Sequence, residues 1–507
     1  MLHSIPSQAR LCSLRLSHIL VLRHNAQQTC SSRLIRNQLS QSQQCGCRCT
    51  AAVIELQEQE TSGSRKSGTV SVRPVQQGLI STQPPRGTRD FHPEEMRLRS
   101  WLFDHMAAVS RVFAFEQVDA PVLESEELFV RKAGEEITEQ LYNFEDKGGR
   151  RMALRPEFTP SLARMVLQKG KGLPLPIKWF TLAQCWRFER STRGRRREHY
   201  QWNMDCIGVA GVEAEAELLA AMVMFFQNVG LTAEDVAIKV SSRQLLQAVL
   251  EQHMVPAEST SRVFVTVDKM DKLPQETVVA ELQAAGLDSE AISGIMAAMQ
   301  VRSLEDLQQL LGDNTPAVQQ LQCLFRLAEG YGFHDWLVFD ASIVRGLAYY
   351  TGIVFEARDR KGELRAIAGG GRYDQLLETF GGEHQPCAGF GFGDAVIMEL
   401  LKDKKLLPQL DHQVQDVVMV MDESLRPAAC EVAARLRKSG RTVDLILEPK
   451  KMKQVFKVTD RTSAQRLVIV APKEWEAGRV RVKQLNLREE KDMSVDELIT
   501  PVSVNDA

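Results

Sequence analysis

Residues 186–205 read WRFERSTRGRRREHYQWNMD, and six of the eleven positions from 187 to 197 are arginine: Arg187, Arg190, Arg193, Arg195, Arg196 and Arg197. On either side, IKWFTLAQCWRFE (177–189) and HYQWNMDCIGV (199–209) are rich in β-branched and aromatic residues, which predicts strands. Ser191, Thr192 and Gly194 supply turn chemistry between them. The stretch therefore reads as two antiparallel strands joined by a strongly cationic loop. A solvated basic hairpin tip is the ordinary meaning of a charge run. This one is pure arginine, the side chain suited to bidentate phosphate contact. It is followed at once by Gln201 and Asp205, polar groups on a strand that otherwise reads as core. Together these point to a site for phosphate beside a small polar ligand.

The chain of 507 residues is long enough for two or three domains, each with its own core. Its formal net charge of -2 means that nucleic-acid binding must use local patches. No uninterrupted apolar stretch is long enough to span a bilayer, so no membrane role is expected. Charge is unevenly spread. Residues 1–54 hold no acid and six arginines, with abundant Ser and Gln, the composition of an organellar transit peptide. Removing those six arginines takes the net charge from -2 to -8. Half of the ten cysteines lie in this leader, and Cys45, Cys47 and Cys49 have no matching His/Cys set at zinc-site spacing. The other five are scattered, as reduced thiols are.

After a polar linker, residues 96–115 carry helical apolar spacing through Leu98, Leu102, Met106 and Val109. A strand interrupted by Pro121 follows. RRMALRPEFTPSLARMV then runs from strand into helix, with Glu157 and Thr159 at the junction, where a plain capping role also fits Thr159. A helix over GVEAEAELLAAMVMFFQNVG closes at Gly230, and residues 254–331 are helical in pattern with no recognisable chemistry. DASIVRGLAYYTGIVFEARD predicts a central strand containing Arg345, which when buried needs an anion or carboxylate partner. Gly369, Gly370 and Gly371 allow close backbone approach, and CAGFGFGDAVIMELL reads as a small-residue strand entering a helix. From about 414 the pattern is β-α-β-α-β, a small parallel-sheet domain with Lys450, Lys451, Lys453 and Lys457 on one edge.

PRGTRD (85–90), VDAPVLE (118–124), RPEFT (155–159), the arginine hairpin ending in Gln201, RGLAYYTG (345–352), GGGRYD (369–374) and the terminal α/β domain occur in the order that resembles class II histidyl-tRNA synthetases. RGLAYYTG is the most specific, because it resembles that family's histidine-recognition motif. The resemblance runs from about Pro85 to the C-terminus. It implies an α+β protein, a class II antiparallel-sheet catalytic core with a helical insertion and a C-terminal α/β anticodon-binding domain. The expected organisation is a disordered transit peptide and linker over 1–65, core over 76–253 with motifs 1 and 2, and helical insertion over 254–331. Core resumes over 332–405 with the histidine motif and motif 3, and the anticodon-binding domain covers 413–507.

The implied activity is ATP-dependent attachment of histidine to its tRNA through a histidyl-adenylate, with Mg2+ carried on ATP. The resemblance assigns Glu157, Thr159 and Gln201 to the amino acid's α-amino group, and Asp205 and Tyr350, with Tyr349 alongside, to the imidazole. It gives Arg187 and Arg345 catalytic contacts to the α-phosphate and Arg195 contacts to the outer phosphates of ATP. Two opposed arginines suit the joining of two anions, because the chemistry is one of positioning and charge stabilisation. A polar pocket also selects histidine without an editing domain. Arg196 and Arg197 are expected at the tRNA acceptor end, and Lys450, Lys451 and Lys453 at the anticodon arm. VDAPVLE resembles motif 1, which implies a homodimer, and the leader implies a mitochondrion, a chloroplast or both. Three residues depart from the family pattern. Ala348 stands for an Asp, Val396 for the arginine that stacks on adenine, and His199 for the aromatic below it. The alternative is a non-catalytic, synthetase-like regulatory subunit of histidine biosynthesis; Arg345, the arginine loop and the terminal domain argue against it.

Overall fold

The computed structural model describes residues 81–131, 135–270, 273–344 and 349–499. The expected leader and linker, and Arg345 and Ala348 of the histidine motif, lie outside the described residues.

The arginine hairpin supplies the second and third strands of an eight-stranded sheet. Its strands are Ile177–Trp186 and Glu198–Ile207, ten residues each. Strand order is Glu116–Gln117, Ile177–Trp186, Glu198–Ile207, Cys387–Gly393, Ala368–Arg372, Ile353–Asp359, Val236–Ser242 and Leu337–Phe339. The outermost pair at each edge is parallel and every other pairing is antiparallel.

Side-chain alternation makes the two faces of this sheet chemically opposite. Trp202 and Met204 pair with Phe392 and Phe390 across the strand boundary. They face an aromatic core in which Trp202 lies 5.0–5.6 Å from the rings of Phe225, Phe390 and Phe392. Trp202 is almost fully buried, and its Nε1 donates to Ser110 Oγ at 2.9 Å, so its one polar atom is satisfied. Helices Pro93–Val112 and Glu213–Asn228 cover this face, the first through Leu102, Met106 and Val109 of the expected apolar stripe. The odd-numbered residues Gln201, Asn203 and Asp205 point the other way, opposite Gly393, Gly391 and Gly389. On the next strand Gly369 and Gly371 continue the register beside Gly391 and Gly389. Glycines leave this face without side chains over two strands, so the sheet carries a trench floored by backbone and edged by polar groups.

The predicted central strand around Arg345 is shorter than expected: pairing begins at Ile353, and Asp340–Val344 are irregular. Between Ala257 and Tyr331 five helices are described, packed on the far edge of the same core. The C-terminal sheet has the order Val443–Leu445, Asp416–Val420, Arg466–Val470, Arg479–Gln484, Glu489–Ser494. Its first three strands are the predicted parallel set; the last two are antiparallel additions outside the predicted series. Arg481 and Lys483 on one strand pair with Asp492 and Glu490 on the other. Val480 and Val482 alternate with these charges and are buried in the domain core, so only a short apolar alternation marks the pair.

Candidate active site

A cavity of about 610 Å³ lies over the glycine trench. Its lining includes Gln201, Asn203, Gly369, Gly389, Gly391 and Gly393 from the floor, and Glu157, Thr159, Tyr349, Tyr350 and Tyr373 from one wall. Arg187, Arg195, Arg196 and His199 from the hairpin, and Val396 from the following helix, line it too.

The polar wall is made by chain junctions. Thr159 opens helix Thr159–Lys169, and Phe158, Leu162 and Ala163 seat that helix in a second core with Cys185, Tyr350 and Tyr373. This leaves Glu157 and Thr159 at the helix start, where backbone N–H groups favour anions and polar ligands. The N-cap position is Phe158, which has no side-chain cap, and Thr159 is the first residue of the helix. Tyr349 Oη donates to Glu157 Oε2 at 3.1 Å. Burial, Glu157 and Tyr350 hold the Tyr349 phenol well above its ordinary range, so it stays a hydrogen-bond donor.

Asp205 is fully buried at the base of this wall and accepts from Tyr373 Oη. Burial pushes its carboxyl up to about 7, opposed by the Tyr373 hydrogen bond and reinforced by Glu157. Gly389 is required here. A Cβ on it would lie 2.2 Å from Asp205 Oδ1 and 2.6 Å from Tyr373 Oη. Tyr373 is itself fixed by its neighbour Arg372, whose Nε and Nη2 reach the two oxygens of buried Glu215 at 2.7 and 2.6 Å. The same arginine's carbonyl receives Thr351 N at 2.8 Å, tying down the chain just after Tyr350.

The cationic side is the hairpin loop. Arg187 Nε donates to Pro156 O at 2.9 Å, which places its guanidinium in the cavity wall next to Glu157. Arg195 is paired with Glu189 inside the loop, and both line the cavity. Arg193 reaches across to helix Asp394–Asp403, with Nη2 2.6 Å from both oxygens of Asp403 and Nε 3.1 Å from Glu399. Gly194 follows in left-handed conformation (φ +71°) directly over Val396, whose Cγ2 a Cβ there would meet at 3.2 Å. His199 lies in the same part of the wall. Burial, together with Arg187 and Arg89, drives its imidazole down to about 3, so it is neutral. Val396 and a neutral His199 thus stand where the family pattern has a cation and an aromatic ring.

Of the residues singled out from sequence, Glu157, Thr159, Gln201, Tyr349, Tyr350, Arg187, Arg195 and Arg196 line one cavity, with Asp205 behind Tyr373. Arg197, expected at the tRNA acceptor end, has partners inside the loop. Its Nε donates to Glu189 O at 3.1 Å, its guanidinium stacks 4.1 Å from Phe188, and its backbone N binds Gly87 O. It braces the base of the loop. Lys450, Lys451 and Lys453 lie in the C-terminal domain at the start of helix Met452–Arg461, away from the cavity lining. Two further lining residues have no role assigned from sequence: Asn203, and Tyr373 within GGGRYD. Period-2 alternation from Gln201 to Asp205 puts Asn203 on the same face, so a signal for it exists. Tyr373 carries none beyond its place after the glycine strand.

An antiparallel sheet with a basic hairpin, a glycine floor and a terminal parallel-sheet domain is the architecture of a class II aminoacyl-tRNA synthetase. The family described as "Histidyl-tRNA synthetase" matches residues 87–394, and "Anticodon binding domain" matches residues 415–505. The chain belongs to the histidyl-tRNA synthetase family. It is 56% identical over 419 residues to the histidine–tRNA ligase, chloroplastic/mitochondrial, of Arabidopsis thaliana, covering 83% of this chain and 86% of that protein. The crystal structure of histidyl-tRNA synthetase from Nostoc sp. PCC 7120 superposes with a TM-score of 0.66 at 25% identity, over 83% of this chain and 99% of that one. An ATP phosphoribosyltransferase regulatory subunit/histidyl-tRNA synthetase from Bacillus halodurans C shares the fold, with a TM-score of 0.65 at 21% identity over 78% of this chain and all of that one.

Proposed function

We infer that this chain is a histidine–tRNA ligase that joins histidine to ATP and then transfers the histidyl group to tRNA. The observation that carries the reading is the convergence of Glu157, Thr159, Gln201, Tyr349 and Tyr350 with Arg187 and Arg195 in one cavity. In the first step a histidine carboxylate oxygen bonds to the α-phosphorus, and the bond from phosphorus to pyrophosphate breaks. Both reactants are anions, so the protein's task is to hold them in line and offset the charge that builds. Arg187, held by Pro156 O, supplies one fixed cation, and Arg345 is assigned the opposite side. Arg195 exchanges Glu189 for the outer phosphates. No side-chain nucleophile is needed. In the second step a ribose hydroxyl at the tRNA 3′ end bonds to the histidyl carbonyl carbon and AMP leaves.

Magnesium enters this reading as part of the ATP substrate, carried on its phosphates. Arg196, exposed on the loop, and Lys450, Lys451 and Lys453 are proposed to meet the acceptor end and the anticodon arm. VDAPVLE is proposed to build a homodimer, which sedimentation of the purified chain tests. Import into a mitochondrion, a chloroplast or both is proposed from the leader composition and supported by the Arabidopsis relative; a fluorescent fusion of residues 1–78 tests it.

The decisive assay is isotope exchange between pyrophosphate and ATP. Exchange that requires histidine is expected; exchange with another amino acid and none with histidine would end the proposal. Binding of histidine tRNA with steep salt dependence separates a ligase from a regulatory subunit.

A further inference from the structure

PRGTRD, the first motif of the chain, does not line the cavity, yet it is bonded to the hairpin behind it. Gly87 O accepts Arg197 N at 2.9 Å and Glu198 N at 3.4 Å. Arg89 Nε lies 3.4 Å from Glu198 Oε2; its Nη2 lies 2.9 Å from Asp394 Oδ2 and donates to Glu198 O at 3.5 Å. Asp394 Oδ1 in turn accepts Tyr200 N at 2.9 Å. Pairing with strand Cys387–Gly393 ends at Gln201, so these contacts take over along the hairpin strand from Tyr200 to Glu198. They fall on both peptide groups of His199, one holding Glu198 O and the other Tyr200 N.

Glu198 and Asp394 are each 3% exposed, and Arg89 is the cation set between them. Period-2 alternation turns Glu198 and Tyr200 away from the cavity and His199 towards it. Arg89 therefore holds His199 from behind the sheet. Asp394 also opens helix Asp394–Asp403, whose first turn brings Val396 to the cavity. One guanidinium thus ties together the supports of the two residues that stand at the adenine position.

We propose that Arg89 is a positioning residue for ATP, which sets the spacing of His199 and Val396 around the adenine base. An aliphatic Val396 and a neutral His199 give the base no cation–π contact, so close packing must hold it. Packing is sensitive to spacing: a gap of about 0.5–1 Å forfeits roughly a quarter to a half of the attraction. Histidine is assigned to other groups, which Arg89 does not touch. The inference rests on the reading of this cavity as a synthetase site.

The test is pyrophosphate exchange by the full chain carrying Arg89→Gln, alone and together with Glu198→Gln. The double variant removes a cation and a carboxylate together, so it adds no unbalanced buried charge and should melt closer to the parent than the single variant. In both, the KM for ATP and the inhibition constant of AMP are expected to rise ~10- to 100-fold. The KM values for histidine and for pyrophosphate, which carry no adenine, are expected to stay within about threefold. Equal rises in all three KM values, an unchanged AMP constant, or a double variant that does not fold would each overturn the proposal. Lack of histidine-dependent exchange in the unaltered chain would instead fail the ligase reading itself.

Discussion

Gly389→Ala is the sharpest probe of how the floor selects histidine. The new Cβ would lie 2.2 Å from Asp205 Oδ1, 2.6 Å from Tyr373 Oη and 2.9 Å from Asp205 Cγ. Ordinary contacts begin near 3.4 Å, so the carboxylate and the phenol must each give way by roughly 1 Å, a misplacement that costs on the order of 10²-fold in rate. Neither has room to move easily. Asp205 is on a strand paired on both sides, and Tyr373 is packed between Tyr349 and Tyr350 at ring separations of 5.8 and 6.4 Å. The backbone is not the obstacle, because Gly389 is not among the glycines with positive φ. The substitution should therefore lower kcat/KM for histidine by ~100-fold in pyrophosphate exchange, with the KM for ATP moved far less. A histidine KM and kcat within about twofold of the parent would refute the role given to the Asp205–Tyr373 pair.

The same carboxyl makes a pH prediction. Asp205 binds its proton more tightly in the folded chain, at about 7, than in the unfolded one. Its contribution to stability is complete below the unfolded value near 4 and is lost as pH rises through about 7. Asp205→Asn should thus gain melting temperature relative to the parent between pH 5 and pH 8, measured without ligands; a constant difference would contradict it. Glu215→Ala strands the buried Arg372 guanidinium and should cost about 3–5 kcal/mol in urea unfolding; a loss below 1 kcal/mol would show that water reaches the pair. Reversing Arg193 to Asp should release the loop from Asp403 and Glu399 and raise the KM for ATP several-fold, and adding Asp403→Arg should restore most of it. No recovery in the double variant would mean that the pair does not position the loop.

Motif resemblance alone locates most of the site: Glu157, Thr159, Gln201, Tyr349, Tyr350, Arg187 and Arg195 all belong to motifs, and all line one cavity. Strand and helix patterns likewise locate the hairpin, the first helix and the terminal β-α-β series, because apolar periodicity records which face is buried. The departures follow the same physics. Among the described residues of the strand predicted around Arg345, pairing begins at Ile353, because an apolar, aromatic run looks alike in a strand and in irregular buried chain. The last two strands are easily passed over because their apolar alternation is limited to Val480 and Val482 among charge-paired residues. Arg197 looks like part of a uniform cationic run, yet its stacking on Phe188 makes it a brace for the loop.

By itself, the sequence determined the family, the alternating strand that carries Gln201, Asn203 and Asp205, and the arginine run beside it. These are local properties: residue type and spacing decide which groups share a face. Only the tertiary structure decided what those groups touch. Tyr373 reaches Asp205 across 168 positions, Arg372 reaches Glu215 across 157, and Arg193 reaches Asp403 across 210. Such partners meet because three separate segments fold into adjacent strands and the glycines between them leave space. The raised pKa of Asp205, the neutrality of His199 and the unpaired carbonyl of Asn203 all arise from that burial, which no stretch of the chain possesses before it folds.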